Sequence, residues 1–154
     1  MSLAISFIAL AFSLAVFLHG RWRDNRDLFL KLHERLVDAE MQKGRRLLYE
    51  VAAQRRDIAD LSEGDHLVIH HALAAFNVLG IYYQRRYVSR RDVLDLWALP
   101  LVRTLAAAQP FLEERDAHQG VPVLSQFRSL CGDASDYLHQ QGISYRPPHE
   151  RPEE

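Results

Sequence analysis

HLVIHHALAAFNVLGIYYQRR, from His66 to Arg86, separates two possible architectures. It is apolar on almost every side, so it reads either as a second membrane crossing or as the central helix of a bundle. Two features decide against the crossing. His70, His71 and Asn77 lie within it, and each polar side chain costs free energy in hydrocarbon. A second crossing would also carry Arg85, Arg86, Arg90 and Arg91 outside, against the rule that keeps arginine and lysine on the cytoplasmic side. The stretch is therefore expected to be the buried central helix of an all-α domain.

Upstream, AISFIALAFSLAVFLHGRWRD (Ala4 to Asp24) has a different character. No charged side chain occurs from Ser2 to Leu18, a run of about 17 residues and roughly 26 Å as a helix, near the shortest that spans a bilayer. A secretion signal would begin with a basic segment and end in a small-residue cleavage site, and neither is present. A helix of a soluble core would carry a polar stripe, and this one has none. The run is read as a single membrane anchor. Arg21, Trp22 and Arg23 follow it as its interfacial flank, since indole and guanidinium groups suit the headgroup zone. With Arg26 they place the rest of the chain in the cytoplasm and the amino terminus outside. The expected division is residues 1–23 as anchor and flank, 24–141 as the helical domain and 142–154 as a disordered tail.

Outward from the central stretch, the remaining segments are helical. Asp24 to Arg56 reads as one long helix continuing from the anchor, with Leu28, Leu32, Leu36, Leu47 and Val51 at helical spacing. Glu40 and Gly44 interrupt that stripe, so a core-facing helix is favoured over an oligomer seam, the secondary reading. DLSEGD (Asp60 to Asp65) is a turn cluster. Ser89, with Asp92 three residues on, resembles a capping box. The helix it starts is expected to run through Trp97 and break near Pro100, since proline lacks an N–H and fits poorly inside a helix. LVRTLAAAQPFLEERDAH continues helically with a kink at Pro110. Gly120 and Pro122 form a turn, and SQFRSLCGDASDYLHQQG is the last amphipathic helix. From Gly142 the chain is rich in proline and charge, which favours disorder. The expected fold is all-α: one N-terminal transmembrane helix, then a cytoplasmic bundle of four to five helices.

The 154 residues carry a net charge of -1, so the overall basic footprint of a nucleic-acid binder is absent. The single cysteine, Cys131, excludes an intrachain disulfide and a cysteine-based zinc site. No phosphate-binding loop, dinucleotide fingerprint or nucleophile elbow occurs, and no cofactor is implied.

FNVLGIYYQRRYVSRRDVLDLW, together with LEERDAHQGVPVLSQFRSL, resembles bacterial domain-of-unknown-function proteins built from one N-terminal membrane helix and a small helical domain. The positions that carry the resemblance are Phe76, Asn77, Gly80, Arg85, Arg86, Trp97, Arg115 and Phe127, and they cover about the second half of the chain. The resemblance implies all-α architecture and membrane attachment, and no activity.

Two groups are candidate sites. His66 and His70 are four apart on one helix, with Asp65 and His71 beside them, a partial shell for a divalent metal, although two ligands on one helix are not a site and no H-E-x-x-H motif is present. Arg85, Arg86, Arg90 and Arg91 crowd one interhelical turn, where guanidinium groups suit lipid phosphates, nucleic acid or an acidic partner. The plain alternative is a solvated turn whose charge Asp92 and Asp95 partly offset; among binding uses lipid headgroups come first, because the domain is tethered beside them. Cys131 has no base within reach, His139 being two turns along the same helix. Glu113, Glu114 and Asp116 read as a solvated helix end. The function expected is a membrane-anchored, non-enzymatic interaction module that recruits or senses a protein partner.

Overall fold

The structure is a computed structural model describing residues 2–143 and 145; within these, the side chains of 2–6, 8, 9, 11, 18, 22 and 118 are outside the described set. The chain is all-α. Its elements are α1 (Ser2–Val37), α2 (Ala39–Ala52), a 3₁₀ turn (Ile58–Asp60), α3 (Glu63–Gln84), α4 (Arg90–Gln119) and α5 (Ser125–Gln140). The helix of the His66–Arg86 stretch, α3, is central and packs against every other helix. Ile69, Leu73, Phe76, Leu79 and Tyr83 are buried along it.

The expected single helix from Asp24 to Arg56 is two helices, α1 and α2, parted at Asp38. There the backbone turns extended (φ -58°, ψ 151°) and the carboxylate accepts a hydrogen bond from the Glu40 N–H at 3.1 Å. The carbonyls that α1 leaves open find donors on α2: Gln42 Nε2 reaches the Val37 oxygen at 2.6 Å. The break lets Leu32 and Leu36 on α1 and Met41, Leu47 and Leu48 on α2 enter one core. A stripe of leucines cannot announce such a corner, because both halves keep helical spacing.

The expected end near Pro100 is also corrected: α4 runs through Pro100 and Pro110 without interruption. Each interior proline costs roughly 3 kcal/mol. Val93, Trp97, Leu101, Thr104, Ala108 and Leu112 nevertheless form one buried face spanning Pro100. Burying each large apolar side chain contributes about 1.5–3 kcal/mol, and that packing holds the helix across the missing donors.

The turn expected over Asp60–Asp65 ends earlier. Ser62 is the N-cap of α3, its hydroxyl accepting from the Asp65 N–H while the Asp65 carboxylate accepts from the Ser62 N–H, a complete capping box. Ser89 caps α4 as expected, accepting from the Asp92 N–H at 3.3 Å. Gly120, left-handed at φ 67°, closes α4. Gly44 brings α2 onto α3: a Cβ there would lie 2.6 Å from the Val68 carbonyl oxygen.

The first half of α1 is helical but has little packed against it. Phe7, Leu10, Phe12, Leu14, Val16 and Phe17 are all exposed, from 56% to 77%. Among the described residues no helix is long and apolar enough to cross a membrane. Of the tail expected from Gly142, Gly142 and Ile143 complete the cap of α5, the Ile143 N–H bonding the Leu138 carbonyl at 2.9 Å. Tyr145 borders a cleft with Tyr49. Residue 144 and residues 146–154 lie outside the described residues.

Candidate functional site

The four arginines of the α3–α4 turn are all exposed. Arg85 is the C-cap of α3, and Arg86 follows in the left-handed region at φ 57°. The Tyr87 N–H returns to the Tyr82 carbonyl at 2.9 Å, which closes the turn. Val88 is buried and pins the loop, and Ser89 then starts α4. Arg90 lies over the Tyr83 ring, 4.8 Å from its centroid. Arg91 pairs with Asp95 at 3.6 Å, one turn along α4. The guanidinium groups thus fan out around the turn.

Arg26 on α1, which the sequence reading passed over as a site residue, joins them. With Arg86 and Arg90 it lines a cleft of about 530 Å³ whose floor includes Phe29 and Val88. Asp92 is the one carboxylate of the lining, against three guanidiniums. Arg26 lies about 12 Å along the helix from Leu18. No sequence signal places residue 26 beside residue 86; only packing of α1 on the bundle does. Of the expected flank, Arg21 and Arg23 are exposed, and the Trp22 side chain is outside the described residues.

The histidines do not gather. His66 packs edge-on against Phe111, with ring centroids 6.2 Å apart. His70 Nδ1 accepts from Arg115 at 2.7 Å; burial, and then the Arg115 charge, hold its pKa below the ordinary histidine value, which keeps that lone pair free. His71 turns the other way, to Glu40 at 2.8 Å. Asp65 is taken by Lys43 at 3.3 Å and Arg56 at 3.0 Å. Among the described residues no group of three or more His, Cys, Asp or Glu side chains is arranged to hold a metal ion.

Cys131 is buried, its thiol bonded to the Leu101 carbonyl at 3.4 Å, and burial pushes its pKa up. A thiol held protonated is a poor nucleophile. Asp116 is more than helix-end solvation: it accepts from the Val123 N–H at 2.7 Å and pairs with Arg128 at 2.6 Å, tying the α4–α5 loop to α5.

Of the positions that carried the resemblance, Phe76, Asn77, Gly80, Trp97, Arg115 and Phe127 form contacts between α3 and its neighbours, while Arg85 and Arg86 are exposed. Phe76 stacks on Phe127 with centroids 5.5 Å apart, and meets Trp97 edge-on at 6.1 Å. Asn77 Oδ1 accepts from the Phe127 N–H at 3.1 Å. The N-cap of α5, Leu124, makes no side-chain cap bond, so Asn77 on α3 satisfies an orphan donor of another helix. A Cβ on Gly80 would stand 2.5 Å from the Gln126 carbonyl oxygen, so only glycine admits α5 at this distance. Outside its two arginines at the turn, the motif is packing chemistry.

Fold and surface together define an all-α bundle with an arginine-lined cleft between its first helix and its α3–α4 turn. The chain matches no family model, no curated protein and no solved structure.

Proposed function

We propose that this chain is a single-pass membrane-anchored interaction module, non-enzymatic, with its bundle on the cytoplasmic side and its arginine cleft against anionic lipid headgroups. The observation that carries the reading is the union of Arg86 and Arg90 with Arg26 in one cleft. It sets the arginine turn beside the part of α1 that follows the uncharged Ser2–Leu18 run, and a membrane-anchored α1 would bring that turn near lipid phosphates. Two further features support it. Exposed Phe7, Phe12 and Phe17 make an apolar surface of the kind that soluble monomers rarely leave open. Arg86 holds a left-handed position that favours glycine, so a long cationic side chain is kept there at a backbone cost of about 1 kcal/mol. Near an anionic leaflet each arginine contributes about 1 kcal/mol, enough in sum to orient the bundle without being needed for attachment.

Carbonate washing tests the anchor. Full-length protein is expected in the membrane pellet and a variant lacking residues 2–23 in the supernatant; full-length protein in the supernatant overturns the anchor. For the cleft, full-length protein is placed in lipid nanodiscs. Amide exchange over residues 85–91 is expected to be slower with phosphatidylglycerol than with phosphatidylcholine, a difference lost at high salt and on changing the four arginines to glutamine. Equal exchange in both lipids overturns the headgroup contact.

A further inference from the structure

A second basic cleft lies between α2 and α4, away from the α3–α4 turn. It encloses about 380 Å³ and its lining includes Arg45, Arg46, Arg103, Gln42 and Tyr49, with no carboxylate. Lys43, Arg56, Arg91 and Arg128 each have an acidic partner. Among the described residues, no ion pair joins Arg45, Arg46 or Arg103 to an Asp or Glu.

Two of these guanidiniums lie against aromatic rings. The Arg45 guanidinium carbon is 5.6 Å from the Trp97 ring centroid and 6.0 Å from that of Phe76. Its Nε is buried without a hydrogen-bond partner, and its NH2 reaches the Leu36 carbonyl only at 3.5 Å. Arg103 lies over the Tyr49 ring at 5.5 Å, and that ring is fixed by its hydroxyl against the fully buried Thr104 at 3.0 Å. The aromatic contacts hold both guanidiniums at the cleft, and a guanidinium carries the forked N–H donors that pair bidentately with phosphate. A half-buried guanidinium among aromatic rings with no counter-ion is costly, and an anion in the cleft offsets that cost.

We propose that this cleft binds a soluble phosphate-bearing anion through Arg45, Arg46 and Arg103, with a diphosphate as the best charge match. The volume lies within the roughly 300–1,000 Å³ typical of small-molecule sites. Leu99 and Pro100 supply an apolar wall for the group that carries the phosphate. A soluble source is favoured over a headgroup because Leu36, which Arg45 touches, lies about 27 Å along the helix from Leu18. The site is separate from the arginine turn and does not depend on it.

Pyrophosphate is titrated calorimetrically into full-length protein in neutral phosphatidylcholine nanodiscs. Saturable binding that weakens with salt is expected, with a rise in thermal midpoint. Arg46 and Arg103 are exposed, so Arg46→Gln and Arg103→Gln keep the fold; each should weaken binding about tenfold and leave the ligand-free midpoint unchanged. Changing Arg85, Arg86, Arg90 and Arg91 to glutamine should leave pyrophosphate affinity as it was. No binding at millimolar pyrophosphate, or equal binding by the Arg46/Arg103 double variant, overturns the site. Discs containing phosphatidic acid separate the sources: loss of pyrophosphate binding there means that a headgroup occupies the cleft, which overturns the soluble ligand. None of these failures touches the carbonate result, which does not involve these arginines.

Discussion

Asn77 and Gly80 act at one point, the entry of α5 onto α3. Replacing Gly80 with alanine drives a methyl group into the Gln126 carbonyl, 2.5 Å away, so one helix must move. Overpacking of this kind costs about 1–3 kcal/mol. Gly80→Ala is expected to lower the thermal midpoint followed by circular dichroism by several degrees; an unchanged midpoint would mean that α5 does not approach this closely. Asp65 is the charged counterpart of such a position. Hydrogen bonding from Ser62, then from Lys43, with the Arg56 charge adding, pulls its carboxyl down to about 2 although burial acts the other way. The unfolded value is about 3.9. A group depressed on folding stabilises fully above its unfolded pKa, and that contribution fades as pH falls from about 4 towards 2. Urea midpoints should therefore drop between pH 6 and pH 3 more steeply in the native protein than in Asp65→Asn. Parallel drops would remove Asp65 as the source.

Among the elements, α4 departs most from what local chemistry expects. Two prolines sit inside it, yet its buried face continues through both turns. Pro110 is exposed, so removing its ring loses little packing. Pro110→Ala supplies the missing N–H for the Ala106 carbonyl and lifts a helix penalty of roughly 3 kcal/mol, offset in part by about 0.4–1 kcal/mol of unfolded-chain entropy. Higher stability by about 2 kcal/mol is expected in chemical denaturation. A loss instead would show that α4 depends on a bend at this proline. The break at Asp38 teaches the converse. There helical spacing resumes on both sides of the break, and the chain turns because Asp38 caps α2 and Gln42 seals α1.

At the scale of the molecule, the described core is drawn from all five helices. Tyr145 borders a cleft with Tyr49 and Arg103. A chain ending after Gln141 loses the Ile143 bond to Leu138 and the Tyr145 side of that cleft, and is expected to melt below one ending after Tyr145. Thermal melts of the two truncations decide this: equal midpoints would show that Gly142–Tyr145 contribute nothing to the fold.

By itself the sequence determined the helical class, the central place of the His66–Arg86 stretch, the cap at Ser89 and the turn at Gly120, because periodicity, capping and glycine chemistry act over a few residues. It also marked the α3–α4 turn as a cluster of four arginines. Tertiary structure decided the rest. His66, His70 and His71 share a helix but are claimed by Phe111 and Arg115 on α4 and by Glu40 on α2, so sequence proximity did not become a metal shell. Arg26 joined Arg86, and Arg103 joined Arg45 and Arg46, through packing of helices distant in the chain. Charge along a sequence has no direction until the core fixes which faces meet, and here the core set both clefts.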